Sequence, residues 1–431
     1  MGFVKPRLGM MMFLQYAVWG IWLPLLGVWL QKPVAEGGLG FEAGQVGWIA
    51  GLAGSVGAIS APFIAGQLAD RLFSTERFLG ALLIIGGVIN YIISEQTSYT
   101  AWLVLSILYS VVYMPTISLS NSMAFAHLKN PDTEFARVRV FGTFGWIAVG
   151  WLFPMIWLQT NLQASALPPF LVGEPVVDAT ARMGDALKVS GVISIIYGFF
   201  CFTLPNTPPK KDATESLAFA KAFQMVKNRS VLILVLASIP ISIIHNIYFQ
   251  QGGFFLESVM GIDGSRIMPA LTVGQIAEIL VMAGLGFVIA SIGIRGTIIV
   301  GGAAYALRYL IWGMVAGAEP SSAATTIAVI SQGLHGVCFA CFFAASFIYI
   351  DRMASDDIRN SAQTVFGIVI LGIGPVFSGP FSGFLASTFG EDGVITNFRG
   401  TWLTLAGIAL ATTVMLAMLF RDESPSEEVE G

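Results

Sequence analysis

Twelve long apolar windows constrain the fold of this chain more than any other feature. A helix that crosses a bilayer needs about 20 mainly apolar residues, because each residue rises only about 1.5 Å along the helix axis. The windows lie at 8–30, 45–69, 77–94, 99–124, 138–158, 187–204, 230–256, 268–291, 296–317, 323–350, 359–388 and 400–420. They predict an all-α integral membrane protein with twelve transmembrane helices.

The composition agrees with lipid as the solvent. Hydrophobic residues make up 55% of the chain and charged residues 11%, whereas soluble domains carry about 25% charged residues. The net charge of −4 argues against nucleic-acid binding. Cys201, Cys338 and Cys341 all lie in apolar runs, which favours packing over metal or redox chemistry. We therefore expect neither a metal nor a cofactor.

The basic residues predict the orientation in the membrane. Twelve spans place both termini on one side. That side carries Lys5, Arg7, Arg71, Arg77, Lys129, Arg137, Lys210, Lys211, Lys221, Lys227, Arg229, Arg295, Arg352, Arg359 and Arg421. The other side carries only Lys32, Arg182, Lys188, Arg266 and Arg399. Because cytoplasmic loops are rich in Lys and Arg, we expect both termini in the cytoplasm.

The longest predicted cytoplasmic stretch divides the chain into two halves of six spans. It runs over 205–229, begins rich in proline and lysine, and continues as a predicted amphipathic helix on the membrane surface. We expect one six-helix bundle in 1–204 and another in 230–420. The acidic end, 421–431, has the composition of a disordered tail.

One loop sequence is repeated in the second half of the chain, where fewer of its residues are retained. GQLADRLFSTER (66–77) follows the second window, and GFVIASIGIRG (286–296) follows the eighth. This repetition suggests an internally duplicated transporter. Asp70 can pair with a basic group, or cap a helix N-terminus, in only one state of a carrier. Asp70 and Arg71 are thus a candidate conformational lock, and the alternative is a solvated turn.

The same loop resembles the one between the second and third helices of the major facilitator superfamily. Further stretches narrow the resemblance to the nucleoside:proton symporter family, the bacterial nucleoside permeases. They are FLQYAVWGIWLPLLG (13–27), YMPTISLSNSMAF (113–125), RVFGTFGW (139–146), GQIAEIL (274–280), LRYLIWG (307–313) and IRNSAQTVFG (358–367). The resemblance implies a monomeric carrier in the bacterial inner membrane that imports nucleosides with protons by alternating access.

Arg139, Thr143 and Trp146 share one helix face at spacing i, i+4, i+7. A guanidinium, a hydroxyl and an aromatic ring on one stripe fit a flat, hydroxylated ligand. The resemblance implies that the arginine and the threonine belong to the nucleoside site. The alternative is that Arg139 reaches to the cytoplasmic interface, as the nearby Arg137 does.

Gln275 and Glu278 also share a helix face, at spacing i, i+3. An amide and a carboxylate can bind ribose hydroxyls or a base edge, and a carboxylate in apolar surroundings is a candidate proton site. A charge deep in the bilayer costs about 2.5–3.5 kcal/mol, so the alternative is a structural ion pair with Arg308. The two interpretations are compatible if Arg308 releases Glu278 during coupling. The resemblance places Gln275 and Glu278 in the substrate site and Arg308 in its support.

The tenth window carries His335 and Phe339 at i, i+4. The histidine could bind substrate and the phenyl ring could stack on a base, although a histidine bonded to a neighbouring helix is equally compatible. Here the chain departs from the family, in which a tyrosine stands at His335 and an aspartate at Ala340. The departure leaves the cargo and the proton stoichiometry open. In the seventh window, the resemblance places only Asn246 in the site.

Three other functions are alternatives to nucleoside transport. A membrane enzyme would need a clustered acid, base or metal set, but His127, His245 and His335 fall in three different windows and no HExxH, GxSxG or P-loop motif occurs. We therefore do not expect an enzyme. A carrier for another small polar solute, such as a sugar or nucleobase derivative, is the nearest alternative, followed by a receptor that binds solute without transporting it.

Overall fold

The structure, a computed structural model, describes residues 4–64, 73–129, 131–165, 171–208, 224–319, 321–355 and 358–423. The first half of the chain forms the helices α1 Val4–Gly20, α2 Leu23–Gln31, α3 Ala43–Trp48, α4 Gly54–Phe63, α5 Thr75–Ser94, α6 Tyr99–His127, α7 Pro131–Trp157, α8 Ala179–Met183 and α9 Asp185–Cys201. The second half forms α10 Arg229–Ser258, α11 Gly264–Ala316, α12 Ser322–Ile330, α13 Gly333–Val337, α14 Ala345–Met353, α15 Arg359–Ile368, α16 Gly374–Val376, α17 Ser378–Phe389 and α18 Phe398–Leu419.

Short segments of other helical types interrupt this pattern. Turns of 3-10 helix lie at Val34–Glu36 and Met225–Lys227, and π-helical turns lie at Ile49–Ala53, Cys338–Ala344 and Val369–Ile373. The π-helical turns continue directly from α-helices on both sides. Such turns are often found at functional sites, and the second of them follows α13.

Two short hairpins were not expected from the sequence. Strands β1 Gln159–Ala164 and β2 Leu171–Pro175 pair antiparallel, as do β3 Gly390–Glu391 and β4 Val394–Ile395. Both hairpins lie in connections between the apolar windows, where period-2 patterning is too short to be recognised. The described chain is thus mostly helical, with β-structure confined to these loops.

Ten helical stretches among the described residues are long and apolar enough to cross a membrane. One of them, α11, has 53 residues and contains Gly293 at φ 72° and ψ 166°, so that two helices meet there. This backbone conformation is readily available only to glycine. The expectation of a multi-pass helical membrane protein is confirmed, whereas the number twelve stays a prediction.

The chain forms two compact units. The first unit comprises Met1–Ala213, Ile247–Thr272 and Ser378–Ile395. Its helices approach closely at glycines, which is how membrane helices commonly pack. A Cβ at Gly145 of α7 would overlap the carbonyl group of Phe13 in α1, and a Cβ at Gly87 of α5 would lie 2.6 Å from the carbonyl oxygen of Gly191 in α9.

The second unit comprises Thr214–Asn246, Val273–Phe377 and Thr396–Gly431. Its buried interior contains large side chains that carry polar atoms: Arg308, Tyr305, Tyr309, Trp312 and Trp402. A buried polar group is destabilising unless it is hydrogen-bonded. These residues therefore need hydrogen-bond partners inside the unit.

Candidate functional site

The close approach of α11 and α13 brings the sequence-predicted residues of the second unit together. A Cβ at Gly274 would lie 2.9 Å from the Cβ of His335, and a Cβ at Gly336 would overlap the backbone of Ala277 and Glu278. Only glycine permits both approaches. The segment that carries Glu278 is thereby held against the segment that carries His335.

Arg308 is completely buried and lies at the centre of this cluster. Its Nη1 donates a hydrogen bond to Nδ1 of His335 at 3.1 Å, and its Nη2 donates to Oε1 of Gln332 at 2.7 Å. The guanidinium carbon also lies 5.5 Å from the ring centre of Trp312 and 5.7 Å from that of Tyr309. The aromatic faces and the two acceptors stabilise a cation that is shielded from water.

A second histidine joins the cluster from α10. The rings of His245 and His335 are nearly parallel, at 11°, with their centres 5.5 Å apart. Nδ1 of His245 lies 2.7 Å from the hydroxyl of Tyr305. The ring of Phe343 packs edge-on against His245 at 5.2 Å. Residues from three helical segments and a π-helical turn therefore form one polar and aromatic surface.

Gln275 and Glu278 lie on α11 beside this surface. The Gln275 side chain is buried, and its amide oxygen has no hydrogen-bond partner among the described residues. Glu278 is half-buried, and its charge acts on the hydroxyl of Tyr305. A buried acceptor and a half-buried carboxylate are groups that a hydroxylated ligand could bind.

The π-helical turn Cys338–Ala344 contains the other predicted residue of this region. Phe339 is half-buried and packs against Phe343 with ring centres 6.0 Å apart. Ala340, where the sequence resemblance implies an aspartate in the family, is completely buried.

In the first unit, Arg139 on α7 lies over the ring of Tyr16 on α1. The guanidinium carbon is 3.9 Å from the ring centre, which is a cation–π contact. A Cβ at Gly142 would lie 2.9 Å from Nη1 of Arg139, so the glycine leaves room for this arrangement. Arg139 is only partly exposed, whereas Arg137 is exposed.

Trp146 and Thr143 continue the same face of α7. Trp146 packs edge-on against Trp19 with ring centres 5.8 Å apart, and a Cβ at Gly20 would lie 2.9 Å from its ring. Thr143 is half-buried. Two residues of the predicted stripe, Arg139 and Trp146, therefore pack against aromatic residues of α1.

The remaining predicted site residues are placed as follows. Asn246 is half-buried and adjoins His245 on α10. Asp70 and Arg71, the candidate lock, lie outside the described residues.

The sequence analysis did not single out five residues of the cluster around Arg308, namely Tyr305, Tyr309, Trp312, Gln332 and Phe343. The spacing of Tyr305 and Arg308 (i, i+3), repeated by Gln332 and His335, was the available signal.

Comparisons with known proteins identify the family. A family model described as "Nucleoside H+ symporter" matches residues 2–425. The chain belongs to that family. It is therefore a multi-pass membrane transporter and not an enzyme, as the sequence resemblance predicted.

Relatives match over nearly the whole chain. The xanthosine permease of Escherichia coli (strain K12) is 28% identical, covering 99% of this chain and 98% of its own. The nucleoside permease NupG of the same organism is 24% identical, covering 97% and 96%. A crystal structure of a mutant of the nucleoside transporter NupG superimposes with a TM-score of 0.84 at 24% identity, covering 97% of this chain and all of that one. The structural likeness shows that the fold is shared.

Proposed function

We propose that this protein imports nucleosides together with protons across the bacterial inner membrane by alternating access. In this proposal it has twelve spans in two bundles, 1–204 and 230–420, joined by the 205–229 linker. It acts as a monomer with both termini in the cytoplasm. Family membership supports the reaction class, and the names of the xanthosine and NupG permeases support the nucleoside as cargo.

The observation that carries the proposal is the position of Glu278. Its half-buried carboxylate lies on a membrane helix beside Gln275 and within electrostatic range of Tyr305. Charged residues within a bilayer are rare and commonly have a function. In a proton-coupled carrier, a carboxylate that exchanges a proton between two states provides that function. We assign proton coupling to Glu278.

The polar and aromatic groups around Glu278 are proposed to bind substrate. Gln275 and His335 offer hydrogen bonds to ribose hydroxyls or a base edge, and Phe339 offers a surface for stacking. Asn246 adds an amide from α10. Arg308, which contacts His335 and Gln332, supports these residues.

We also propose that the stripe on α7 binds substrate. The guanidinium of Arg139 and the hydroxyl of Thr143 fit the hydrogen-bonding groups of a nucleoside, and the indole of Trp146 fits its flat base. We assign the conformational lock to Asp70 and Arg71, from the superfamily resemblance of their loop.

Uptake in proteoliposomes tests the proposal. Labelled uridine, adenosine and xanthosine are offered with and without an inward proton gradient, to the wild type and to Glu278→Gln. Glu391→Gln, which makes the same change at an exposed position of β3, is the matched control. We expect gradient-driven accumulation in the wild type and in Glu391→Gln. In Glu278→Gln we expect only exchange down the nucleoside gradient.

Two outcomes would contradict parts of the proposal separately. If no nucleoside enters or competes for binding, the cargo is wrong, and sugars and nucleobases are the next substrates to assay. If Glu278→Gln still accumulates nucleoside with the proton gradient, the cargo stands and the coupling carboxylate is a different one.

A further inference from the structure

The hydrogen bond between Arg308 and His335 restricts which protons the histidine can carry. An arginine side chain has only donors, so it can pair with Nδ1 of His335 at 3.1 Å only if that nitrogen supplies its lone pair. In a neutral ring the proton must then be on Nε2. A doubly protonated ring would direct an N–H group and a positive charge at a buried cation.

We propose that Arg308 is the positioning residue that holds His335 neutral, in the Nε2–H tautomer, as a fixed hydrogen-bond donor. Gln332 completes the arrangement, because its amide oxygen accepts from Nη2 of the same guanidinium at 2.7 Å. Both terminal nitrogens of the Arg308 guanidinium, Nη1 and Nη2, are thus hydrogen-bonded. These bonds fix the orientation of the guanidinium before a ligand binds. Lysine, a single point charge, cannot hold both acceptors in this geometry.

His245 extends the same restriction to a second ring. It stacks on His335 at 5.5 Å, and its Nδ1 pairs with the hydroxyl of Tyr305 at 2.7 Å. The charge of Arg308 acts on both imidazoles. Adding a second cation to either ring would place like charges together in a buried cluster, which is strongly unfavourable. The two histidines form a neutral pair.

The consequence for transport rests on the proposed function. The neutral His335 selects a cargo with a hydrogen-bond acceptor facing it, such as a base carbonyl oxygen or a ring nitrogen. The histidine pair does not carry the coupled proton. Arg308 therefore serves cargo selection through His335, and the proton stays with the carboxylate of Glu278.

Nuclear magnetic resonance of the full chain with ¹⁵N-labelled histidine tests the tautomer directly. The chain has 3 histidines, so each signal is assigned with single variants, His127→Gln, His245→Gln and His335→Gln. Long-range ¹H–¹⁵N spectra are recorded between about pH 5.5 and 8, the range in which an ordinary histidine titrates. We expect His335 to remain in the Nε2–H form throughout. An Nδ1–H or doubly protonated His335 in the wild type would overturn the proposal.

Variants of the positioning residue give a second measurement. In Arg308→Met we expect an Nδ1–H population of His335 to appear, and in Arg308→Lys a smaller one. If Arg308→Met keeps the wild-type tautomer, Arg308 does not fix it. Should Arg308→Met not fold, the wild-type spectrum still decides the proposal.

Uptake kinetics separate this proposal from the proposed function. In His335→Gln, whose amide can donate near the position of Nε2, we expect the apparent KM for nucleoside to rise less than in His335→Leu. In His335→Leu we expect a KM about tenfold higher, the loss of roughly one hydrogen bond. Both variants should keep the wild-type pH profile of uptake, and a shifted profile would show that His335 carries the proton. If no nucleoside is transported at all, the proposed function fails while the spectra still report the tautomer.

Discussion

Gly336 and Ala277 pack so closely that a methyl group on Gly336 would overlap the backbone carbonyl of Ala277. This approach fixes the separation of α13 from α11. It therefore sets the position of Glu278, the residue after Ala277, relative to His335, the residue before Gly336. Small residues allow membrane helices to approach in this way, and here they determine the geometry of a functional cluster.

Gly336→Ala should lower both stability and transport. The added Cβ forces the two helices apart, and overpacking of this kind costs about 1–3 kcal/mol. Gly333→Ala is the control, because a Cβ there meets nothing within 4 Å among the described residues. Thermal unfolding in detergent and nucleoside uptake are measured for both variants. Equal behaviour of the two variants would show that the approach at Gly336 is not required.

Arg139→Gln should reduce nucleoside uptake far more than Arg137→Gln. The two residues lie two positions apart on α7, but Arg139 is partly buried over the ring of Tyr16 while Arg137 is exposed. If Arg139 binds ligand, its replacement removes a charge-assisted hydrogen bond worth about 1.5–3 kcal/mol. That loss weakens the affinity for ligand more than about tenfold. Similar losses in both variants would favour the interfacial alternative for Arg139.

Gln15 links three helices of the first unit and should be important for its stability. Its Nε2 donates to Oγ1 of Thr116 at 2.8 Å, and its Oε1 accepts from the hydroxyl of Tyr197 at 3.1 Å. Its backbone carbonyl accepts from Tyr113. Gln15→Leu removes both side-chain bonds inside a buried region.

We expect Gln15→Leu to reduce the free energy of unfolding by about 1–3 kcal/mol, the usual range for a buried polar group that loses its partner. Thermal unfolding of Gln15→Leu, Thr116→Val and the double variant measures the coupling between them. The double variant should lose less than the sum of the single variants, because they break one shared bond. Full additivity would mean that the Gln15–Thr116 bond contributes little.

Much of the fold could be predicted from the sequence because a lipid environment permits few backbone structures. A backbone inside the bilayer must bond to itself, so long apolar runs become helices. The hairpin β3–β4 could not be predicted, since its strands have two residues each and its turn depends on Asp392 and Gly393 at positive φ. The break at Gly293, by contrast, falls between two predicted windows, 268–291 and 296–317.

The candidate site was predictable only within single helices. The residues of the pairs Gln275–Glu278 and His335–Phe339 have helical spacing. Each pair could therefore be predicted to lie on one face of its helix. The stacking of His245 on His335 joins residues that are far apart in the chain and depends on how α10 and α13 are rotated. Spacing carries no information on that rotation. Helix–helix packing, set by glycines such as Gly274, had to be seen in the structure.

Two neighbouring glutamines of α10 should respond in opposite directions to the same substitution. Gln250 accepts from Oγ of Ser382 at 2.7 Å and donates to Oγ of Ser378 at 3.0 Å, both on α17. Gln251 is completely buried, yet neither atom of its amide has a hydrogen-bond partner among the described residues.

Gln250→Leu should lower the unfolding temperature because two buried bonds to α17 are lost. Gln251→Leu should leave it unchanged or raise it, because leucine replaces an unpaired amide with an apolar group of similar size. Thermal unfolding of the two variants, measured side by side, is the comparison. A larger loss in Gln251→Leu than in Gln250→Leu would mean that the amide of Gln251 is hydrogen-bonded in the folded carrier.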